Sequence, residues 1–166
     1  GRLISDAVDA ALAIEGRGRM PLVSLLGMMA FRNLMLVMEG RTQDLFVILS
    51  ALEPKLRDVT KTFGETPDDR IVKAITQMIA PAARMEVNPF GQSLASMITT
   101  LDSVISPDPK TELERYAPTM RLGFQMLQSV FVGLTEPARL SAQFRSMHKT
   151  LQADVEVTLA TMEWGP

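Results

Sequence analysis

The chain has 166 residues, 46% hydrophobic and 22% charged, with a formal net charge of −2. That length suits one domain with a core of its own, and the apolar content excludes intrinsic disorder. Without Cys there is no disulfide, thiolate metal site or cysteine nucleophile, and the slight acidity gives no overall pull on nucleic acid.

Apolar residues recur at spacings of three and four, and alternating period-two runs are missing, so the expected class is all-α. The first helix is expected over Ser5 to Glu15, with Asp6 and Asp9 in its first turn and Ile4, Val8 and Leu12 on its buried face. Gly16-Arg17-Gly18-Arg19 breaks it. A second helix opens at Pro21 and stops at Gly40. Between them only Ser24, Arg32, Asn33 and Glu39 are polar, the pattern of a central buried helix or of one in a membrane. Arg32 alone costs about 2.5–3.5 kcal/mol near a bilayer centre, so the buried reading is preferred to membrane association through 20–38.

The third helix spans Thr42 to Gly64, with Leu45, Leu49, Leu52, Leu56, Val59 and Phe63 in one stripe across Pro54. Proline inside a helix removes a hydrogen bond, so one bent helix or two abutting ones are expected. Thr66-Pro67-Asp68-Asp69 is the best helix start in the chain, with a capping hydroxyl, a preset φ and a carboxylate at the third position. Ile71, Ile75, Met78 and Ile79 line its face, and Pro81 ends or bends it. Asn88-Pro89-Phe90 is the tripeptide that endocytic EH domains bind, and here it reads as cap, first helical residue and core anchor. It opens a fifth helix that buries Leu94, Met97, Leu101 and Val104. Ser106-Pro107-Asp108-Pro109 breaks it and starts a sixth, which reaches Leu134 through Pro118. Leu113, Tyr116, Met120, Phe124, Leu127, Phe131 and Leu134 form its core stripe. A last helix is expected from about Pro137 to Trp164, with apolar steps from Leu140 to Met162.

The expected fold is therefore an irregular bundle of six or seven helices, several kinked or started at proline, in a single domain over 1–166. The chain opens Gly1-Arg2 without Met, which reads as a trimmed terminus, compatible with a removed signal peptide or a fragment of a longer protein. A cytoplasmic location is expected.

Candidate chemistry is sparse. His148, the single histidine, has Arg145, Phe144, Leu151 and Gln152 as helical neighbours and no carboxylate among them. No metal or other cofactor is expected. Glu65, Asp68 and Asp69 cluster where capping explains them. Gly16-Arg17-Gly18-Arg19 follows a helix rather than a strand, so it reads as a flexible connector and not as a phosphate cradle. The 12 methionines suit an adaptable core or a re-packable groove.

These features point away from an enzyme and towards a helical protein–protein interaction module, an adaptor, assembly or scaffold subunit. The segments 22–38 and 119–134 are apolar on more than one face, and a bundle of this size encloses only one such helix. Leu122, Met126 and Val130 are the expected exposed interface, covered by a second copy in a homodimer. The alternative function is a bundle that holds an apolar small molecule or lipid in an internal cavity, with Arg32, Asn33, Gln77 or Tyr116 as its polar groups.

Overall fold

The computed structural model describes residues 2–135 together with Lys149, Thr150 and Ala153. Among the described residues there are six helices and no strand. They are α1 (Arg2–Leu12), α2 (Met20–Met38), α3 (Thr42–Thr60), α4 (Pro67–Ala83), α5 (Val87–Val104) and α6 (Glu112–Thr135). The helix expected after Pro137, with His148, lies outside the described residues. The chain divides into two compact units, Gly1–Phe124 and Gln125–Pro166. The first unit holds α1 to α5 and the first half of α6. The described part of the second is mainly the end of α6.

Within the first unit, helices pack on their chain neighbours. α1 and α2 pack on each other and on α3, α3 packs on α4, and α4 on α5. Val8, Leu22, Leu56, Ile71, Leu94 and Leu101 are among the residues fully buried in the resulting core. The α3 stripe behaves as its spacing predicts. Leu49, Leu52 and Leu56 are buried on the helix and Phe63 just beyond it. Helix α3 stays continuous through Pro54, which lies on its exposed side.

Helix α4 starts where the sequence places it. Thr66 is extended, and its Oγ1 accepts a hydrogen bond from the Asp69 amide at 3.1 Å, which satisfies one of the free donors of the first turn. The helix passes Pro81 and ends at Ala83. There the Met85 amide donates to the Ala82 carbonyl and the Glu86 amide to that of Pro81. This is a Schellman closure, which needs a left-handed residue after the cap. Met85 fills that role with φ +53°. At the end of α2, Gly40 does the same without strain, at φ +74°.

Several boundaries differ from the sequence reading. Helix α1 starts three residues early, so Asp6 and Asp9 lie outside its first turn. Helix α5 begins at Val87 behind Glu86, which makes no side-chain cap, and Asn88 is already helical rather than capping. Helix α6 starts at Glu112 instead of near Pro109. The reason is a capping box. The Glu114 amide donates to Thr111 Oγ1 at 3.0 Å, and the Thr111 amide donates back to Glu114 Oε2 at 2.9 Å. The buried α6 stripe then runs Leu113, Ala117 and Met120, and leaves Tyr116, Leu127 and Leu134 exposed.

The largest correction concerns α2. Its inner face buries Leu22, Leu26 and Leu36, but only 28% of its apolar window is enclosed. It is not the central helix of the bundle.

Two substitutions test these helix ends. Thr66→Ala is expected to cost about 0.5–2 kcal/mol, the usual loss for a hydroxyl cap. Met85→Gly is expected to gain roughly 0.5–1 kcal/mol by relieving the left-handed methionine. Urea midpoints should move in opposite directions, and a common direction would contradict these end geometries.

Candidate functional site

Charged side chains from the turn after α1 and from the starts of α4 and α6 converge in one place. Asp68 and Asp69 are both buried at the start of α4, at 6% and 5% exposure. Asp69 Oδ1 accepts from Arg19 Nε at 2.9 Å, and its Oδ2 accepts from the Gly64 amide at 3.0 Å. Asp68 Oδ1 accepts from Thr111 Oγ1 at 2.7 Å. The Arg19 guanidinium also lies 3.6 Å from the centre of the Phe63 ring, a cation–π contact. Arg17 forms a two-point contact with Glu112, at 2.6 and 3.0 Å. Lys73 holds the other side of the loop through the Gly64 carbonyl at 2.7 Å.

The Gly-Arg-Gly-Arg turn is therefore a clasp and not a loose connector. One arginine reaches the start of α4 and the other the start of α6. Gly18 is needed between them. Its φ is +56°, and a Cβ there would lie 3.2 Å from Asp68 Oδ2. The two aspartates do more than cap a helix, contrary to the sequence reading. Burial pushes the Asp69 carboxyl up, but the Arg19 and Thr66 hydrogen bonds, the Arg19 charge and the Gly64 amide outweigh it. Asp69 therefore sits below the usual carboxylate range. Glu112 is lowered and Arg17 raised by their mutual hydrogen bond and charge, against the opposing effect of desolvation.

These contacts engage Arg17, Arg19, Asp68, Asp69 and Glu112 with one another and with the loop. An open cleft of about 460 Å³ lies beside the clasp, lined by Leu12, Arg19, Lys55, Asp58, Val59, Thr62 and Phe63. Its cations are engaged as well, Arg19 with Asp69 and Lys55 with Asp9 at 2.6 Å. Among the described residues, no three His, Asp or Glu side chains converge as a metal site would require.

None of Arg32, Asn33, Gln77 and Tyr116 lines this cleft. Arg32 on α2, Gln77 on α4 and Tyr116 on α6 are exposed. Asn33 is half-buried on the inner side of α2, and its Oδ1 is buried without a hydrogen-bond partner. Leu122, Met126 and Val130 are all exposed along α6.

A second exposed apolar surface is larger, and the sequence reading had assigned it to the core. Ser24, Met28, Phe31, Met35 and Met38 repeat at steps of four and three along the outer side of α2, with Gly27 and Leu34 beside them. Phe31 is 66% exposed and Met38 73%. Nothing lies within 4 Å of where a Gly27 Cβ would sit. By length and composition α2 could also cross a membrane, with Arg32 in its second half. Periodicity could have found this face, since the outer stripe is as regular as the inner one. It could not say which of the two was covered.

The clasp gives two expectations. The Asp69 contribution is present above the unfolded carboxylate pKa of about 3.9 and is lost as pH falls through the lower folded value. Asp69→Asn should cost about 1.5–3 kcal/mol at neutral pH and flatten the decline of the urea midpoint in acid. An acid limb as steep as that of the parent chain would assign it to other carboxylates. Gly18→Ala should cost about 1–2 kcal/mol from its left-handed φ. Thermal unfolding reads this loss, and an unchanged midpoint would contradict the strained turn.

Comparison with family models, curated proteins and solved structures finds no match to this chain, and the function proposed for it rests on its own geometry.

Proposed function

We propose that this chain is a non-enzymatic helical interaction module, an adaptor, assembly or scaffold subunit that binds protein through apolar helix faces, another copy of itself included. One observation carries the reading. The outer side of α2 presents Met28, Phe31, Leu34, Met35 and Met38 to solvent in a continuous stripe. At roughly 200 Å² for a large side chain, their exposure amounts to roughly 600 Å² of apolar surface, at the upper end for the largest patch on a monomer. Methionine suits such a face, because its flexible thioether chain re-packs against different partners. The charged groups beside the cleft serve instead as structural ties.

A photo-reactive phenylalanine analogue at position 31, introduced in cells, tests this. Protein-sized adducts are expected at position 31 and not at position 77, which is exposed on α4. Adducts to lipid alone would replace the reading with membrane attachment through α2. The absence of any adduct would remove it.

A further inference from the structure

The outer face of α2 has a symmetry that identifies one occupant. We propose that it is the contact between two copies of this chain, an antiparallel α2–α2 pair about a two-fold axis at Phe31. This rests on the interaction reading above and specifies its partner and geometry.

A two-fold contact must be self-complementary, because each copy offers the same patch. In an antiparallel pair centred on residue 31, residues equally far before and after it share a layer. Phe31 meets Phe31 of the second copy at the centre. Gly27 and Met28 then share a layer with Leu34 and Met35 of the second copy, and Ser24 lies level with its Met38. Ser24 and Gly27 on the first half face Met38 and Met35 on the second, while Met28 and Leu34 meet as two large side chains. Gly27 has open space where a side chain would be, and that space accepts the larger chains opposite.

The four-three spacing from Ser24 to Met38 is the seam of a helix pair, and no charged residue lies on it. Arg32 sits at its margin, exposed, with room for its stem to cover the edge. The roughly 600 Å² of exposed apolar side chain, with Ser24, Gly27 and this stem, approaches the roughly 800 Å² that each partner of a standard interface buries. An interface somewhat below the standard size fits a micromolar dimer better than a nanomolar one.

Light scattering coupled to size exclusion, with sedimentation for the dissociation constant, reads the assembly of the full chain. A dimer is expected at about 100 μM, well above a micromolar dissociation constant. Phe31→Glu is expected to raise that constant at least a hundredfold. Gly27→Leu is expected to raise it at least tenfold while leaving the helical circular dichroism unchanged, because the monomer has space for the new side chain. Geometry is read by single cysteines, since the chain has none of its own. Phe31→Cys should cross-link to its own mate on oxidation. Ser24→Cys should not, because the axis holds its two copies about 21 Å apart along the helices, far beyond disulfide reach. A mixture of Ser24→Cys and Met38→Cys chains should form the mixed disulfide.

A chain that stays monomeric at that concentration overturns the proposal, as does a monomer that binds anionic phosphatidylserine vesicles through α2. A dimer that survives Phe31→Glu and is lost with Met126→Glu also overturns it. That result moves the contact to α6 and leaves the interaction reading intact. Strong self-cross-linking of Ser24→Cys would replace the antiparallel arrangement with a parallel one. If position 31 instead captures a different protein in cells while the purified chain stays monomeric, the two-fold pair fails and the interaction module stands.

Discussion

The first unit depends on two adjacent carboxylates at the start of α4. Asp69 gathers the Arg19 guanidinium, the Gly64 amide and, through its own amide, the Thr66 hydroxyl. Asp68 takes the Thr111 hydroxyl, which also accepts from the first turn of α6. Three stretches far apart in sequence thus meet at one helix end: the turn after α1, the loop that leads from α3 into α4, and the start of α6. The positive end of the α4 dipole favours charge at this point. A hydrophobic pair at the same place would leave the Gly64 amide without its acceptor, and an unpaired buried donor costs about 1–3 kcal/mol.

Such a node is tolerable because it is not wholly dry. The Arg19 side chain keeps 31% of its surface in water, so its desolvation is partial, and Phe63 supplies a polarisable face on the other side. The second arginine works differently. The Arg17–Glu112 pair is exposed on both sides, where ion pairs contribute little to stability. Its bidentate geometry orients the turn, while Asp69 and Arg19 anchor it. Gly18 gives the turn its left-handed step and keeps a Cβ away from Asp68. The sequence Gly-Arg-Gly-Arg resembles a ligand loop because the same means bring guanidinium groups to an anion. Here the anions belong to the chain itself.

Local signals were legible in the sequence wherever one short motif decides the outcome. The α3 stripe, the Thr66 cap and the Gly40 stop all follow from neighbours within four residues. The Thr111–Glu114 box was legible too, but the proline-rich turn before it drew the boundary too early. Asn88 failed for the converse reason. Its residue type fits a cap, but the extended residue before the helix is Glu86, and Asn88 already lies inside the first turn. The clasp was not legible, because each of its ion pairs joins positions 50 or 95 residues apart, and composition cannot match an arginine to one of several acids. Tyr116 and Ala117 show the limit of size as a guide. The aromatic residue was placed in the core, whereas close packing at the start of α6 buries the small one.

The half-covered state of α2 has a geometric cause. Helix α1 has 11 residues and α2 has 19, so at 1.5 Å per residue α1 runs about 16 Å beside a partner about 28 Å long. Helix α3 also packs on α2, whose inner side buries Leu26 and Leu36. The outer side leaves Phe31, Leu34 and Met38 exposed. A solitary bundle normally turns charge outward at such a place. Here the polarity runs the other way. Asn33 lies on the inner side with an unsatisfied oxygen, while Phe31 and Met38 point to solvent. That distribution suits a helix with a neighbour on each side, one from its own unit and one from outside it.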